Sequence, residues 1–273
     1  MNEDYQTDLS GWDSNAATKP IMICLLGNFR LMQAGQLMPI RAGGKSEALL
    51  TYLGLQHGRR VSREQLVQTL WPDTDFSLGI NSLHNLIHNI NKNLGPALQG
   101  AAPVLHQEGY YQLNITAGMG VDVADFDELV ATGDRHDQVG NPAAALISYR
   151  HAIDLYRDDL YMSALSADAQ IIVERERLRV SYLRVLGQVA DHYYQANDYT
   201  TALQYVWQLL GQDPCREDAH RLVMRCLVRR GERAAALHHY QVCLDLLRDH
   251  LDVTPEPATV VLFEQIRVQP DQI

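Results

Sequence analysis

The sequence lacks the features that would place a protein in a membrane or outside the cell. Its 273 residues contain no uninterrupted apolar run of about 18 residues, the length that a transmembrane helix requires. The first 20 residues are polar and acidic, and they have no apolar segment of the kind found in secretion signals. We therefore expect a cytoplasmic protein with no membrane partner.

Cysteine is scarce, and its positions show no pairing pattern. The four cysteines are Cys24, Cys215, Cys226 and Cys243. His239 and Cys243 would share one face of a helix, but no second pair of ligands follows at a spacing that suits zinc. The sequence therefore predicts reduced thiols and a packed helix rather than a metal site.

Motifs that carry catalytic chemistry are absent as well. The sequence has neither a Gly-x-Ser-x-Gly nucleophile turn nor a His-Glu-x-x-His zinc motif. Gly44-Lys45-Ser46 resembles the end of a phosphate-binding loop, but Pro39 stands where that motif requires its first glycine. We expect a protein that is not an enzyme and that uses no cofactor.

What the sequence does contain is an ordinary globular composition with unevenly distributed charge. Hydrophobic residues make up 46%, charged residues make up 21%, and the net charge is −10. Residues 21–120 hold seven basic and five acidic side chains, whereas the 153 residues after them hold 15 basic and 24 acidic ones. A polyanionic partner such as DNA is therefore compatible only with the first of these segments.

The first segment begins with short apolar runs and two helices. Three runs predict a small antiparallel sheet, and they are Ile21–Leu26, Phe29–Met32 and Gln36–Ile40. Gly43 and Gly44 open a first helix, which ends at Gly58. Ser62 and Gln65 have the spacing of a capping box at the start of a second helix, and Trp71-Pro72 ends it.

A third helix, predicted from Leu78 to about Leu98, has two chemically different sides. Its apolar stripe recurs every three or four residues and comprises Ile80, Leu83, Ile87, Ile90, Leu94 and Leu98. The opposite side carries Asn81, Ser82, Asn85, Asn89, Lys92 and Asn93, with His88 at its edge. We call its candidate base contacts the asparagine face, and they are Asn81, Ser82, Asn85, His88 and Asn89. Asparagine is a mediocre helix former, so this concentration favours a functional explanation over a merely solvated surface.

The segment closes with a predicted β-hairpin formed by Val104–Gln107 and Tyr110–Leu113. The order of sheet, helix, helix, turn, helix and hairpin is that of a winged helix-turn-helix. We accordingly predict a disordered acidic tail over 1–20 and a winged helix-turn-helix domain over 21–118.

The remaining sequence is predicted to be helical and contains an internal repeat. Three stretches align without gaps, each with Ala-Leu at the fifth and sixth positions after a turn residue: Gly140–Leu146, Asn197–Leu203 and Gly231–Leu237. The last two begin 34 residues apart, which is the period of tetratricopeptide repeats. The predicted fold is therefore an α+β winged helix-turn-helix followed by an all-α domain of tetratricopeptide-like repeats over 119–267, with a tail over 268–273.

These motifs, in this order, resemble regulators of the Streptomyces antibiotic regulatory protein type. The matching stretches span about residues 21–267 and are ICLLGNFRLMQAGQLMPIRAGGKSEALLTYL, GRRVSREQLVQTLWPD, GYYQL, VDVADFDELV and RRGERAAALHHYQVCLDLLRDHLDVTPEPATVVLFEQI. That family joins an OmpR-type winged helix to a bacterial transcriptional activator domain built from tetratricopeptide-like repeats. The resemblance implies sequence-specific binding to double-stranded promoter DNA, as a homodimer on direct repeats, and activation through contact with RNA polymerase.

The resemblance also implies a role for each part of the winged helix. The asparagine face would read base edges in the major groove, where an amide pairs with both N6 and N7 of adenine. The hairpin would lie along the adjacent minor groove or backbone, with His106 and Tyr110 as its candidate contacts. The candidate phosphate contacts are Arg41, Lys45, Arg59, Arg60, Arg63 and Lys92.

One departure from the family keeps other hypotheses open. Recognition helices of the family usually carry several arginines, whereas Lys92 is the only formally charged residue between Leu78 and Leu98. Because phosphate neutralisation supplies most non-specific affinity, an alternative is an adaptor that binds another protein and has little DNA affinity. A third hypothesis is a small-molecule sensor that uses the repeat groove, although no ligand is evident. Its candidate lining residues are Tyr182, Tyr193, Tyr194 and Tyr199.

Overall fold

The computed structural model describes residues 19–40, 43–56, 58–161, 169–270 and 273. Residues 1–18 of the expected acidic tail and the candidate phosphate contact Arg41 lie outside these described residues. The strands are β1 (Ile21–Cys24), β2 (Arg30–Gln33), β3 (Gln36–Met38), β4 (Val61–Ser62), β5 (Val104–Gln107), β6 (Tyr110–Leu113) and β7 (Met119–Val121). The helices are α1 (Lys45–Leu55), α2 (Arg63–Leu70), α3 (Phe76–Leu94), α4 (Asp122–Gln138), α5 (Pro142–Leu155), α6 (Ala169–Gln195), α7 (Tyr199–Gln212), α8 (Glu217–Arg229), α9 (Arg233–Leu251) and α10 (Pro257–Val268).

The chain divides into two compact units. The N-terminal unit comprises the described residues up to Ala131 together with Asp154–Arg179. The helical unit comprises Thr132–Ile153 and Val180–Ile273. The order of elements along the chain confirms the predicted fold class of a winged helix-turn-helix followed by helical repeats. Among the described residues, no helix has both the length and the apolar character needed to cross a bilayer.

The first sheet of the N-terminal unit has the strand order β3-β2-β1-β7. The predicted antiparallel pairing of β1 with β2 and of β2 with β3 is confirmed. Strand β7 is not among the predicted strands, and it pairs parallel to β1 with Met119 opposite Ile21. A parallel partner almost a hundred residues away leaves no local signal, so the sequence pattern did not indicate it.

A buried carboxylate holds the chain where β1 leaves this sheet. Asp122 accepts hydrogen bonds from the backbone amide of Leu25 at 2.8 and 2.9 Å and from that of Leu26 at 3.0 Å. Asp122 is 1% exposed, and burial raises the pKa of its carboxyl group to about 6. The side chain thus satisfies two backbone donors that would otherwise be buried without an acceptor from a neighbouring strand.

The second sheet of the N-terminal unit has the strand order β4-β6-β5 and contains the predicted hairpin. Its bounds are those expected from the sequence, with Val104 opposite Leu113. Glu108 and Gly109 at the turn both have a positive φ, 53° and 81°, as a two-residue turn that matches the strand twist requires. Strand β4 is only two residues long, too short for a recognisable alternation, and it is an addition to the predicted elements.

The predicted capping box at the start of α2 is confirmed. The amide of Gln65 donates to the Ser62 hydroxyl at 3.2 Å, and the amide of Ser62 donates to the Gln65 side-chain oxygen at 3.2 Å. The helix ends at Leu70, before Trp71-Pro72, as expected.

The bounds predicted for the third helix need correction at both ends. α3 begins at Phe76 because the Asp75 carboxylate accepts from the amides of Ser77 at 2.9 Å and Leu78 at 3.4 Å. Its α-helical part ends at Leu94, because Pro96 has no amide hydrogen to continue the ladder and residues Gly95–Leu98 form a 3-10 turn. The apolar stripe is nevertheless packed inside, and its buried members are Leu83, Ile87, Ile90, Leu94 and Leu98.

The helical unit shows why the three aligned stretches share their residues. The turn residues Gly140, Asn197 and Gly231 all adopt left-handed backbone, with φ values of 71°, 61° and 79°. The alanines that follow five residues later are fully buried, and they are Ala145, Ala202 and Ala236. Small residues at these positions allow the paired helices to approach closely, so the repeat in the sequence is a repeat in the packing.

Candidate nucleic-acid interface

The structure places the asparagine face of α3 in solvent. Asn81, Asn85, His88 and Asn89 are exposed and Ser82 is half-buried, while the apolar stripe on the other side is buried except for the half-buried Ile80. The two-sided pattern predicted from the sequence is therefore present in the folded helix. It presents amide groups, which both donate and accept hydrogen bonds, as a continuous row along the helix.

Two polar side chains of α3 are used by the fold itself. The Ser82 hydroxyl donates to the backbone carbonyl of Leu78 at 2.9 Å, which leaves its lone pairs as its remaining hydrogen-bonding capacity. The Asn91 side chain accepts from the amide of Val104 at 3.1 Å and donates to the carbonyl of Val104 at 3.4 Å. Asn91 therefore fixes the hairpin to α3, a positioning role that sequence reasoning missed because its partner lies 13 residues away.

Aromatic contacts tie the hairpin to the same helix. The ring of His106 stacks on that of Tyr111 with a centroid distance of 4.4 Å and an interplanar angle of 8°. The ring of His84, on α3, lies 6.1 Å from that of His106. Tyr111 is 1% exposed, and burial raises the pKa of its hydroxyl. The ring of the predicted wing residue His106 is thus positioned next to α3 by stacking on the buried Tyr111.

Arg60 and Tyr110 line the same cavity at this hairpin. The Arg60 guanidinium donates to the Gln107 side-chain oxygen at 3.4 Å, and both residues are exposed. Together with neighbouring residues they line an open cavity of about 200 Å³ whose members are Arg60, Leu105, His106, Gln107, Tyr110 and Gln112. The structure therefore brings one predicted phosphate contact and both predicted wing contacts to one surface.

The remaining candidate phosphate contacts differ in their environments. Arg59 and Lys92 are exposed. The guanidinium of Arg63, whose side chain is 36% exposed, has its Nε 3.6 Å from a carboxylate oxygen of Glu64, and its backbone amide donates to Gly109 at the hairpin turn. Arg63 therefore lies beside the hairpin turn.

Lys45, another candidate phosphate contact, lies at the end of α2. Its ammonium group donates to the backbone carbonyl of Leu70 at 2.5 Å and lies 5.8 Å from the centre of the Trp71 ring. It thus neutralises the carbonyl end of α2, where a cation is stabilised by the helix dipole. This contact uses one of the three donors of the ammonium group, and the residue as a whole is exposed.

His239 and Cys243, which the sequence analysis considered as metal ligands, are packed inside the helical unit. His239 is 6% exposed and lies 2.9 Å from His220, nitrogen to nitrogen, and burial lowers its pKa to about 4. Cys243 is fully buried, and burial raises the pKa of its thiol to about 12. Within the described part of the chain, no group of three or more His, Cys, Asp or Glu residues has the geometry of a metal site.

The tyrosines considered for a ligand groove pack mainly on one another or on neighbouring helices. Tyr193 stacks on Tyr205 at 5.6 Å, and Tyr194 lies 5.6 Å from Tyr199. Tyr182 is 4% exposed, and its hydroxyl accepts from the Gln208 amide at 2.8 Å. Aromatic side chains at these positions therefore contribute to packing within the helical unit.

Comparison with known proteins identifies the second half of the chain. The family model of the bacterial transcriptional activator domain matches residues 121–267. Over 245 residues the chain is 26% identical to Regulatory protein AfsR of Streptomyces coelicolor. This alignment covers 86% of the chain and 24% of AfsR. It is 25% identical over 217 residues to Regulatory protein DnrI of Streptomyces peucetius, covering 77% of this chain and 79% of DnrI. The chain thus spans about a quarter of the length of AfsR.

A solved structure supports the same fold. The structure of Mycobacterium tuberculosis EmbR in complex with a low-affinity phosphopeptide matches with a TM-score of 0.76 at 20% identity. The match covers 92% of this chain and 66% of that one. Since the family model matches more than half of the sequence, the chain belongs to the bacterial transcriptional activator domain family, in the form found in regulators of the Streptomyces antibiotic regulatory protein type.

Proposed function

We propose that this protein is a sequence-specific double-stranded DNA-binding transcriptional regulator that activates promoters by recruiting RNA polymerase. The observation that carries the proposal is the solvent-exposed asparagine face of α3 beside a hairpin that holds Arg60, His106 and Tyr110 on one surface. The relatives AfsR and DnrI are regulatory proteins, which supports the same general role.

In this proposal α3 enters the major groove. The amides of Asn81, Asn85 and Asn89 pair with adenine edges, and each bidentate pair contributes roughly 1–3 kcal/mol of discrimination against a wrong base. Ser82 and His88 lie on the same face and complete the set of candidate base contacts. The operator would accordingly be rich in A·T pairs.

The hairpin and the surrounding cations position the protein on the DNA backbone. Arg59, Arg60 and Arg63 approach phosphates beside the hairpin, and Lys92 does so from the far end of α3. Lys45 and Arg41 would supply phosphate contacts near the start of α1. His106 and Tyr110 contact the sugar-phosphate edge of the adjacent minor groove.

The helical unit supplies assembly rather than chemistry. Its tetratricopeptide-like repeats would hold a homodimer on direct-repeat half-sites and contact RNA polymerase, and the protein would act in the cytoplasm without a cofactor or a catalytic step. The repeated small-residue contacts at Ala145, Ala202 and Ala236 support a stacked scaffold of this kind.

The test is selection of bound duplexes from a random pool with the full chain at low and at moderate salt. We expect enrichment of a direct repeat, and affinity for it that falls steeply with salt, with a log–log slope of about −0.9 per phosphate contact. Absence of enrichment together with absence of binding at low salt would contradict the proposal.

A second candidate function is a protein–protein adaptor. It is favoured by one observation, that Lys92 is the only formal charge on α3. The adaptor hypothesis predicts that DNA binding is undetectable while the asparagine face is required for capture of a protein partner. The salt titration separates the two, because only a DNA complex releases condensed counterions in proportion to its phosphate contacts.

A further inference from the structure

One apolar side chain lies within the polar side of α3. Leu78 is 59% exposed, whereas in the same helix Leu83 and Leu94 are buried and Leu86 is half-buried. At about 100° per residue, Ser82, Asn85 and Asn89 follow Leu78 on the same side of the helix, four, seven and eleven positions later. Leu78 therefore belongs by position to the asparagine face and opposes the buried apolar stripe.

The backbone that carries Leu78 is held firmly. Its amide donates to the Asp75 carboxylate at 3.4 Å, and its carbonyl accepts from the Ser82 hydroxyl at 2.9 Å. The hydrogen bond from the Ser77 amide to the same carboxylate, at 2.9 Å, reinforces this first turn. A fixed first turn places the isobutyl group of Leu78 at a defined position on the asparagine face, where it presents its apolar surface to whatever that face binds.

A base pair read by an asparagine has one apolar group in the major groove. An amide that pairs with N6 and N7 of adenine leaves the C5-methyl group of the paired thymine exposed nearby. Aliphatic side chains contact this methyl group, and the residues at the N-terminal part of a reading helix are the ones that reach base edges. Leu78 is in the first turn of α3, so both its chemistry and its position suit a thymine methyl group.

We propose that Leu78 is a specificity-determining residue that contacts the 5-methyl group of a thymine in the operator. The inference rests on the proposed function, because it requires α3 to lie in the major groove. The ligand is the methyl group of an A·T pair adjacent to one read by Asn81 or Asn85. Discrimination at this position is therefore between thymine and any base without that methyl group.

The experiment replaces single thymines of the selected duplex by deoxyuridine, which removes only the methyl group and keeps the pairing. Affinities are measured by fluorescence anisotropy at one fixed salt concentration with the full chain. Burial of one methyl group corresponds to about a fourfold change in affinity, so the wild type should lose about fourfold at one or two positions. Leu78→Ala should bind the thymine and deoxyuridine duplexes equally, and Leu78→Met should retain most of the difference.

Phe76→Ala is the matched control, because Phe76 is 47% exposed and lies two residues away, on a different side of the helix. It should keep the fourfold difference of the wild type. A Leu78→Ala variant that still distinguishes thymine from deoxyuridine, or a wild type indifferent to every substitution, would overturn the assignment. If Leu78→Ala keeps DNA discrimination and instead loses capture of RNA polymerase, Leu78 is a protein contact and the assignment is wrong. A wild type that binds no duplex would refute the proposed function itself, and the inference with it.

Discussion

The two units of this protein use their polar side chains in different ways. In the helical unit, charged groups bind one another: the Arg184 guanidinium donates to Asp134 at 2.8 and 3.1 Å, and the Tyr149 hydroxyl donates to Asp134 at 2.7 Å. In the N-terminal unit, the asparagines of α3 are held in solvent, at some cost in helix propensity. The comparison teaches that polar side chains of both units stabilise the fold, as Asp122 does in the N-terminal unit, and that the asparagines of α3 differ because they face solvent.

The same contrast extends to the cations. Arg221 of the helical unit donates to Glu256 at 2.9 Å and to Thr259 at 2.8 Å, whereas Arg59 and Lys92 of the N-terminal unit are exposed on the candidate interface. Cations of the N-terminal unit are also paired elsewhere, as Arg177 is with Asp127 at 2.8 Å, so the exposure of Arg59 and Lys92 is local. Whole-chain charge therefore does not describe the charge of this surface.

Lowering the pH should give the largest difference in stability between the two units. The reason is that protonation of Asp122 stabilises one unit, whereas protonation of His239 destabilises the other. Asp122 has a pKa raised to about 6 by burial, so the folded N-terminal unit binds a proton before the unfolded chain does and gains stability as pH falls from about 6 to 4. His239 has a pKa lowered to about 4 by burial and by the charge of His220, so the helical unit loses stability as pH falls from about 6.5 to 4. Each contribution is at most about 3 kcal/mol. Hydrogen exchange resolved along the chain measures both units separately.

Two variants test whether His239 and Asp122 cause these pH dependences of stability. His239→Gln keeps an N–H donor for His220 but does not titrate, so the pH dependence of the helical unit should become flatter. Asp122→Asn should flatten that of the N-terminal unit. Protection that changes in the same direction in both units would show that other groups dominate.

Paired glycine substitutions should give the next largest difference between the units. A Cβ at Gly79 of α3 would overlap Cγ1 of Val67 on α2, so Gly79→Ala should destabilise the N-terminal unit by about 1–3 kcal/mol and weaken DNA binding. Gly211 of α7 has no atom within 4 Å of an added Cβ, so Gly211→Ala should stabilise its helix by about 0.5–1 kcal/mol. Thermal unfolding of both variants checks the pair. Equal effects would mean that α2 and α3 do not pack as closely as described.

Replacing one amide of the asparagine face should affect selectivity rather than folding. Asn85→Ala should reduce the preference for the operator over a random duplex by about 1–3 kcal/mol, because a bidentate base contact is lost. Asn91→Ala is an informative comparison, since Asn91 holds the hairpin through Val104 and its loss should lower stability as well. Competition binding and thermal unfolding, measured for both variants, distinguish these outcomes. An equal loss for Asn85→Ala on both duplexes would remove that residue from the base contacts.

The smallest expected effect concerns a single phosphate contact. Arg60→Ala should weaken all duplexes alike and flatten the log–log salt slope by about one unit. Arg229→Ala, in the last turn of α8, provides a cation of the helical unit for comparison and should leave the slope unchanged. A slope that Arg60→Ala does not alter would place its guanidinium away from the phosphates.

Local signals predicted the parts of this structure that depend on neighbouring residues. The capping box of Ser62 and Gln65, the hairpin bounds and the positions of the turn residues in the repeats each need only a few adjacent positions. The parallel pairing of β7 with β1 and the burial of Asp122 depend on contacts about a hundred residues apart. No pattern within one segment encodes such contacts.

The candidate site shows the same division between what neighbours determine and what the fold determines. The period of α3 predicted which side faces solvent and left Asn91 off the asparagine face, but it could not show that Asn91 binds Val104 of the hairpin. It placed Leu78 at the start of a two-sided helix and assigned it to neither side, whereas the folded helix exposes it among the asparagines. The contacts and exposure of these side chains follow only from where the hairpin and the core lie around α3.

The central claim, that the exposed asparagines of α3 read DNA sequence, is tested most directly by replacing Asn81, Asn85 and Asn89 together with alanine. The affinity of the triple variant is measured on the selected operator and on a random duplex at the same salt concentration. If each amide makes a base contact, the ratio of the two affinities should fall by about a hundredfold or more while random-duplex affinity is preserved. A ratio that does not change in a variant that remains folded would contradict the claim.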